Sequence, residues 1–172
     1  MRNRPHTLQY LIAGSIAVIA FLLYLPALQN DFVNWDDGEY VYENTYIQKI
    51  NVNFIKFAFF SFHSGNWHPL TWISHAIDYT LWGLNPLGHH LTNNILHAFN
   101  TLLVVILAIR LVELFKASKK SISSTDLSSR GRKTLLIGAT TGLLFGIHPL
   151  HVESVAWVSE RKDLLCALFF LL

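Results

Sequence analysis

The chain has 172 residues, 52% of them hydrophobic and only 14% charged, with a formal net charge of +2. An ordinary soluble domain carries about 25% charged residues, so the composition points to a membrane class. The small net charge argues against a nucleic-acid partner, and the single cysteine, Cys166, excludes a disulfide framework and a cysteine metal cluster.

Residues 8–28 are the first predicted span, since about 20 apolar residues cross the ~30 Å hydrocarbon core. Arg2 and Arg4 precede it as a signal peptide's basic region would, but the run is long and LPALQN is a poor cleavage site. A retained signal anchor is therefore expected. Residues 29–90 then form a long connection, of the kind that often carries function. It opens on VNWDDGEYVYEN, where Asp36 and Asp37 stand side by side with Glu39 and Glu43 close behind. Asp37-Gly38 is by itself a turn signal. NVNFIKFAFFSF and HPLTWISHAIDYTLWGLNP read as helices lying in the outer interface. In the second, Leu70, Ile73, Ile77 and Leu81 recur at helical spacing, Pro69 fits its first turn, and Gly83 with Asn85-Pro86 fits its end.

The second span, residues 91–114, is polar in its first half. His90, Asn93, Asn94, His97 and Asn100 fall on one helical face. Polar groups at membrane depth are costly unless they meet protein or a wet cavity, so the stripe is expected to line a cavity opening outward. Interhelical hydrogen bonding is the alternative. The third span, residues 135–150, carries Gly138, Gly142 and Gly146, a doubled GxxxG packing signal. GIHPLHVESVAWVSERKDLL follows. Read as a helix, it places Glu153, Trp157, Glu160 and Arg161 on one face. Arg161 and Lys162 lie on the side where basic residues are disfavoured. A phosphate ligand explains them, because arginine grips phosphate bidentately; a local ion pair with Glu160 or Asp163 is the plainer account. His148, His151 and Glu153 match no common zinc spacing. No cofactor is implied, and a divalent metal finds no support. The fourth span starts near residue 164 and is too short to cross before residue 172, so the sequence reads as the N-terminal part of a larger protein.

Lys and Arg set the orientation. They cluster at the N-terminus and in residues 115–133 (Lys116, Lys119, Lys120, Arg130, Arg132 and Lys133), which are therefore assigned to the cytoplasm. Residues 29–90 hold Lys49 and Lys56 against Asp31, Asp36, Asp37, Glu39, Glu43 and Asp78, and are assigned to the outside. The expected fold is all-α and integral to a membrane, with about four spans and interfacial helices in the outer loop.

Three stretches together, FVNWDDGEYVYEN, NWHPLTWISHAIDYTLWGLNPLGHHLTNNILHAFNTLL and GIHPLHVESVAWVSERKDLL, resemble the N-terminal membrane region of the transmembrane-and-tetratricopeptide-repeat glycosyltransferases, which have a GT-C fold. The resemblance implies transfer of a sugar, mannose in animal members, from a polyprenyl-phosphate carrier to a hydroxyl at the outer membrane face. The acceptor is typically a protein Ser or Thr. It implies a catalytic base in the Asp36-Asp37 pair and a donor-phosphate site at Arg161 with Lys162. Glu153, His90, Asn93 and His97 are the candidate substrate contacts. It also favours a bacterial inner membrane. No 34-residue repeat is present and later spans are missing, so the acceptor-binding part is expected to be absent and this chain inactive alone. A non-catalytic anchor or assembly module, or a transporter fragment using the His/Asn stripe, are the competing readings.

Overall fold

The computed structural model describes residues 4–118 and 127–172, and all regular elements among them are helical. Arg2, Lys119 and Lys120, used above for orientation, lie outside the described residues. Helix α1 spans Arg4–Leu23. Pro26, which has no amide hydrogen to continue the ladder, falls in a 3-10 turn, Leu25–Gln29, that closes this first segment. The outer connection holds α2 (Val52–Phe60) and α3 (Pro69–Trp82). Helix α4 is the long Pro86–Ser118, 33 residues and so about 50 Å. After residues 119–126 come α5 (Leu127–Gly146), α6 (His151–Ala156) and α7 (Arg161–Leu171).

Helix α4 is the organising element, packing against α1, α3, α5, α6 and α7. Its start at Pro86 rather than residue 91 draws His89 and His90 into the helix. Ala13, Ile16, Val105 and Ile109 form the core between α1 and α4, lined from α5 by Leu135, Ala139 and Leu143. The glycine row works as the sequence suggested. A methyl group built on Gly138 would overlap Ile109, one on Gly142 would overlap Val105, and Gly146 abuts Thr101 and Ala20. Small residues thus let α5 lie directly against α4. Two stretches, Thr7–Gln29 and Pro86–Ser118, are long and apolar enough to cross a membrane.

The outer connection folds around its own core. Tyr40, Val41, Ile47, Phe54, Phe57 and the fully buried Trp72 pack together, joined by Val158 from the far end of the chain. Asn51 caps α2, its side chain accepting from Phe54 N at 3.0 Å. Helix α3 starts at Pro69 and stops at Gly83, whose φ of 60° suits glycine, as the sequence indicated. Its faces are reversed relative to a soluble helix. Leu70, Ile77 and Leu81 are exposed, whereas Thr71, His75 and Asp78 are buried. Phe60 and Phe62 are also exposed, at 83% and 80%.

The continuous helix expected through Glu153, Trp157, Glu160 and Arg161 is not formed. Trp157 is extended (φ −101°, ψ 121°), a short turn follows at Val158–Glu160, and α7 begins at Arg161. The break is held by side chains from distant elements. Asn93 Nδ2 donates to Trp157 O at 3.1 Å and to Val155 O at 3.4 Å. Asp37 Oδ1 accepts from Ser159 N at 2.9 Å. Backbone groups that a helix would pair internally are paired instead across the bundle.

Candidate active site

The two adjacent acids, Asp36 and Asp37, have different surroundings. Residues 36–42 form a tight helical turn, continuing the turn signalled by Asp37-Gly38. Asp37 is fully buried; Oδ2 accepts from Val33 N at 2.8 Å, and Oδ1 accepts from Ser159 N. Asp36 is half-buried and turned to the outer surface, with no side-chain hydrogen bond among the described residues. Of the pair, Asp36 alone is accessible to solvent.

Arg161 is also fully buried. Its guanidinium pairs with Asp78 at 2.6 Å, Nε donates to Asn93 Oδ1 at 2.7 Å, Nη1 to Ser74 Oγ at 2.9 Å, and Nη2 to His89 O at 2.8 Å. These contacts join the start of α7 to α3 and α4. The guanidinium, expected from the sequence to meet a donor phosphate, is engaged here by four protein groups that clamp the start of α7.

Four side chains of the α4 polar stripe, Asn93, Asn94, His97 and Asn100, bond to neighbouring segments of the bundle. His90, Asn93, Asn94, His97 and Asn100 are all fully buried. Asn94 Nδ2 donates to Phe21 O of α1 at 3.1 Å, His97 Nε2 to Gly146 O of α5 at 2.9 Å, and Asn100 Nδ2 to Leu164 O of α7 at 2.9 Å. Asn93 serves the Trp157 break. Most of these acceptors are carbonyls at helix ends or interruptions, which the ladder leaves without partners. The alternative weighed from sequence, hydrogen bonding between helices, is the arrangement observed.

Lys162 Nζ stands 5.5 Å from the Tyr40 ring centroid and donates to Glu160 Oε1 at 2.7 Å. The Tyr40 hydroxyl and His68 Nε2 share a hydrogen bond at 3.0 Å. Burial raises the Tyr40 phenol; Lys162 opposes that rise, while Asp36 and Glu160 add to it, so both outer motifs act on one ring. Burial, helped by Lys162, lowers His68 and keeps it neutral near pH 7. Lys162 and Glu160 are part-exposed, with side-chain exposures of 26% and 15%. Glu153 is exposed on α6. No group of three His, Cys, Asp or Glu side chains suited to a metal occurs among the described residues.

Tyr40, His68, Ser74 and Asp78 were not singled out from sequence. Ser74 and Asp78 sit four residues apart on α3, so they share a face. An acid on an otherwise apolar interfacial helix was the available signal.

His75 fixes a pH dependence. It is fully buried between the Tyr40 ring and the His89 ring. Burial first, then the charges of Arg161 and His89, hold its pKa well below 6.5. The unfolded chain therefore takes up a proton below pH 6.5 that the folded chain refuses. Stability is complete above that pH and falls as pH drops, by up to about 1.4 kcal/mol per pH unit. Unfolding midpoints in detergent between pH 7.5 and 5.5 should show this loss, and His75→Phe should make the slope shallower by His75's share, His68 and His89 keeping theirs; an equal slope in both proteins would refute the assignment.

No family model matches the chain, and no solved structure matches it. It is similar to curated proteins over almost its whole length. It is 34% identical over 171 residues to human protein O-mannosyl-transferase TMTC4, covering 94% of this chain and 22% of that protein. It is 32% identical over 170 residues to Tmtc1 of Drosophila melanogaster, covering 94% and 17%. It is 33% identical over 164 residues to tmtc2 of Xenopus laevis, covering 91% and 17%. The chain thus spans about a fifth of the length of these relatives.

Proposed function

Starting from a chain related to the protein O-mannosyl-transferases across 94% of its length, we propose that it forms the N-terminal, outward-facing part of a membrane glycosyltransferase. The enzyme moves a sugar from a polyprenyl-phosphate carrier to a protein hydroxyl. The reversed faces of α3 and the exposed Phe60 and Phe62 favour an outer connection lying in the headgroup region. In the same reading α5 crosses the bilayer beside α1 and α4, α7 begins a further span, and the N-terminus is cytoplasmic.

The observation that carries the proposal is the meeting of the two outer motifs. The turn bearing Asp36 and the segment bearing Lys162 are bonded through Asp37 and Ser159, and Lys162 lies over Tyr40. Asp36 accepts the proton of the acceptor hydroxyl as its oxygen attacks the anomeric carbon. The bond from that carbon to the carrier phosphate breaks, and polyprenyl phosphate leaves with the bonding pair. Attack from the opposite side inverts the anomeric centre. Lys162 offers positive charge to the departing phosphate, while Arg161 holds Lys162's helix in place. Asn93 and His97 act through packing, and Glu153 is exposed on α6.

The test uses the full-length protein in liposomes, with polyprenyl-phosphate mannose and a Ser/Thr-rich peptide. Peptide mannosylation from the lipid donor is expected. Transfer from a nucleotide sugar alone would overturn the donor class, and no transfer from either would favour a non-catalytic assembly module.

A further inference from the structure

Asp37 belongs to the acidic pair, yet its geometry gives it a different task from Asp36. Its two oxygens face two backbone amides far apart in sequence: Val33 N at 2.8 Å before the turn and Ser159 N at 2.9 Å beyond the Trp157 break. It is 0% exposed. Ser159 lies in the short Val158–Glu160 turn that leads directly into Arg161 and Lys162. The turn's other ties reinforce this one. Val158 packs into the core with Tyr40 and Val41, and Asn93 holds the Trp157 carbonyl.

We infer that Asp37 is a positioning residue, a non-local latch that fixes the 158–162 segment against the turn carrying Asp36 and so sets where Lys162 stands. The consequence for the reaction rests on the function proposed above; the latch itself does not. An ionised carboxylate accepting two amide hydrogens makes charge-assisted bonds, about twice as strong as neutral ones. Its loss leaves two buried amides without partners. The 158–162 turn then opens more often, withdrawing Val158 from the Trp72 core, while the packing of α1, α4 and α5 around Val105 and Ile109 is kept.

Trypsin cleaves after Arg161 and Lys162, so cleavage there reports opening of the turn directly. With the purified chain in detergent, Asp37→Ala is expected to raise the rate of cleavage after Lys162 at least tenfold. Asp37→Asn, which keeps one acceptor oxygen, should fall between Asp37→Ala and the parent, and Asp36→Ala should leave the rate unchanged. Equal rates in Asp37→Ala and the parent would overturn the latch, as would the same rise in Asp36→Ala. Cleavage at Arg110, well inside α4, separates local opening from global unfolding: a parallel rise there in both Asp37 variants would also overturn it. In the full-length enzyme, Asp37→Asn should raise the KM for the lipid donor more than tenfold with the acid limb of the kcat profile unmoved. If proteolysis behaves as stated and no transfer occurs even in the parent, the latch stands and the transferase reading fails.

Discussion

Asparagine at Asp36 should lower sugar transfer by the full-length protein by roughly 10²–10⁴-fold, the range that a positioned general base supplies. The argument is one of access and protonation. Asp36 is half-buried and unbonded among the described residues, whereas its neighbour is enclosed and committed to two amides. Because nothing in the fold depends on the Asp36 carboxylate, the asparagine variant should unfold within about 0.5 kcal/mol of the parent. The measurement is initial rate against pH with polyprenyl-phosphate mannose, beside a thermal unfolding curve. Loss of rate with loss of the acid limb, at unchanged stability, is the expected pair of results. A rate within a few-fold of the parent would remove Asp36 from the chemistry.

Arg161→Met should act on the fold itself. The guanidinium and Asp78 are buried together at 2.6 Å, with Ser74, Asn93 and the His89 carbonyl completing the set. Removing one member of a buried pair leaves the other charge uncompensated, at a cost of about 3–5 kcal/mol. That is a large part of the 5–15 kcal/mol that typically holds a protein folded. The double variant Arg161→Met with Asp78→Leu should recover much of the loss, because apolar replacement of a whole buried pair is often close to neutral. Unfolding midpoints in detergent decide the matter. An Arg161→Met midpoint equal to the parent's would mean the pair is not closed in solution, and would return Arg161 to the list of phosphate ligands.

These two residues also show what the sequence could disclose. Local signals served well where the cause was local. Pro69 and Gly83 bound α3, and the glycine row on α5 marked its contact with α4. The alternation of polar residues correctly placed Asn93, His97 and Asn100 on one face of α4. It could not say that this face meets backbone carbonyls rather than water, since those acceptors come from Phe21, Gly146 and Leu164, far away in the chain. The break at Trp157 escaped for the same reason. Nothing in HVESVAWVSERKD itself ends a helix; Asn93 and Asp37 do so from outside. Asp36 and Asp37 are indistinguishable as letters, and what separates them is the burial of Asp37 and its bonds to Val33 N and Ser159 N.

The amides of α4 bear on how the protein is made. Helix α4 leaves the ribosome before α5, α6 and α7. On its own in lipid it would expose His97, Asn93 and Asn100 with no carbonyls to receive them, an unfavourable state for a hydrophobic medium. In a bilayer, these groups therefore find their acceptors only when the later helices are in place, so the polar face of α4 ties its own burial to the packing of the segments that follow it in the chain.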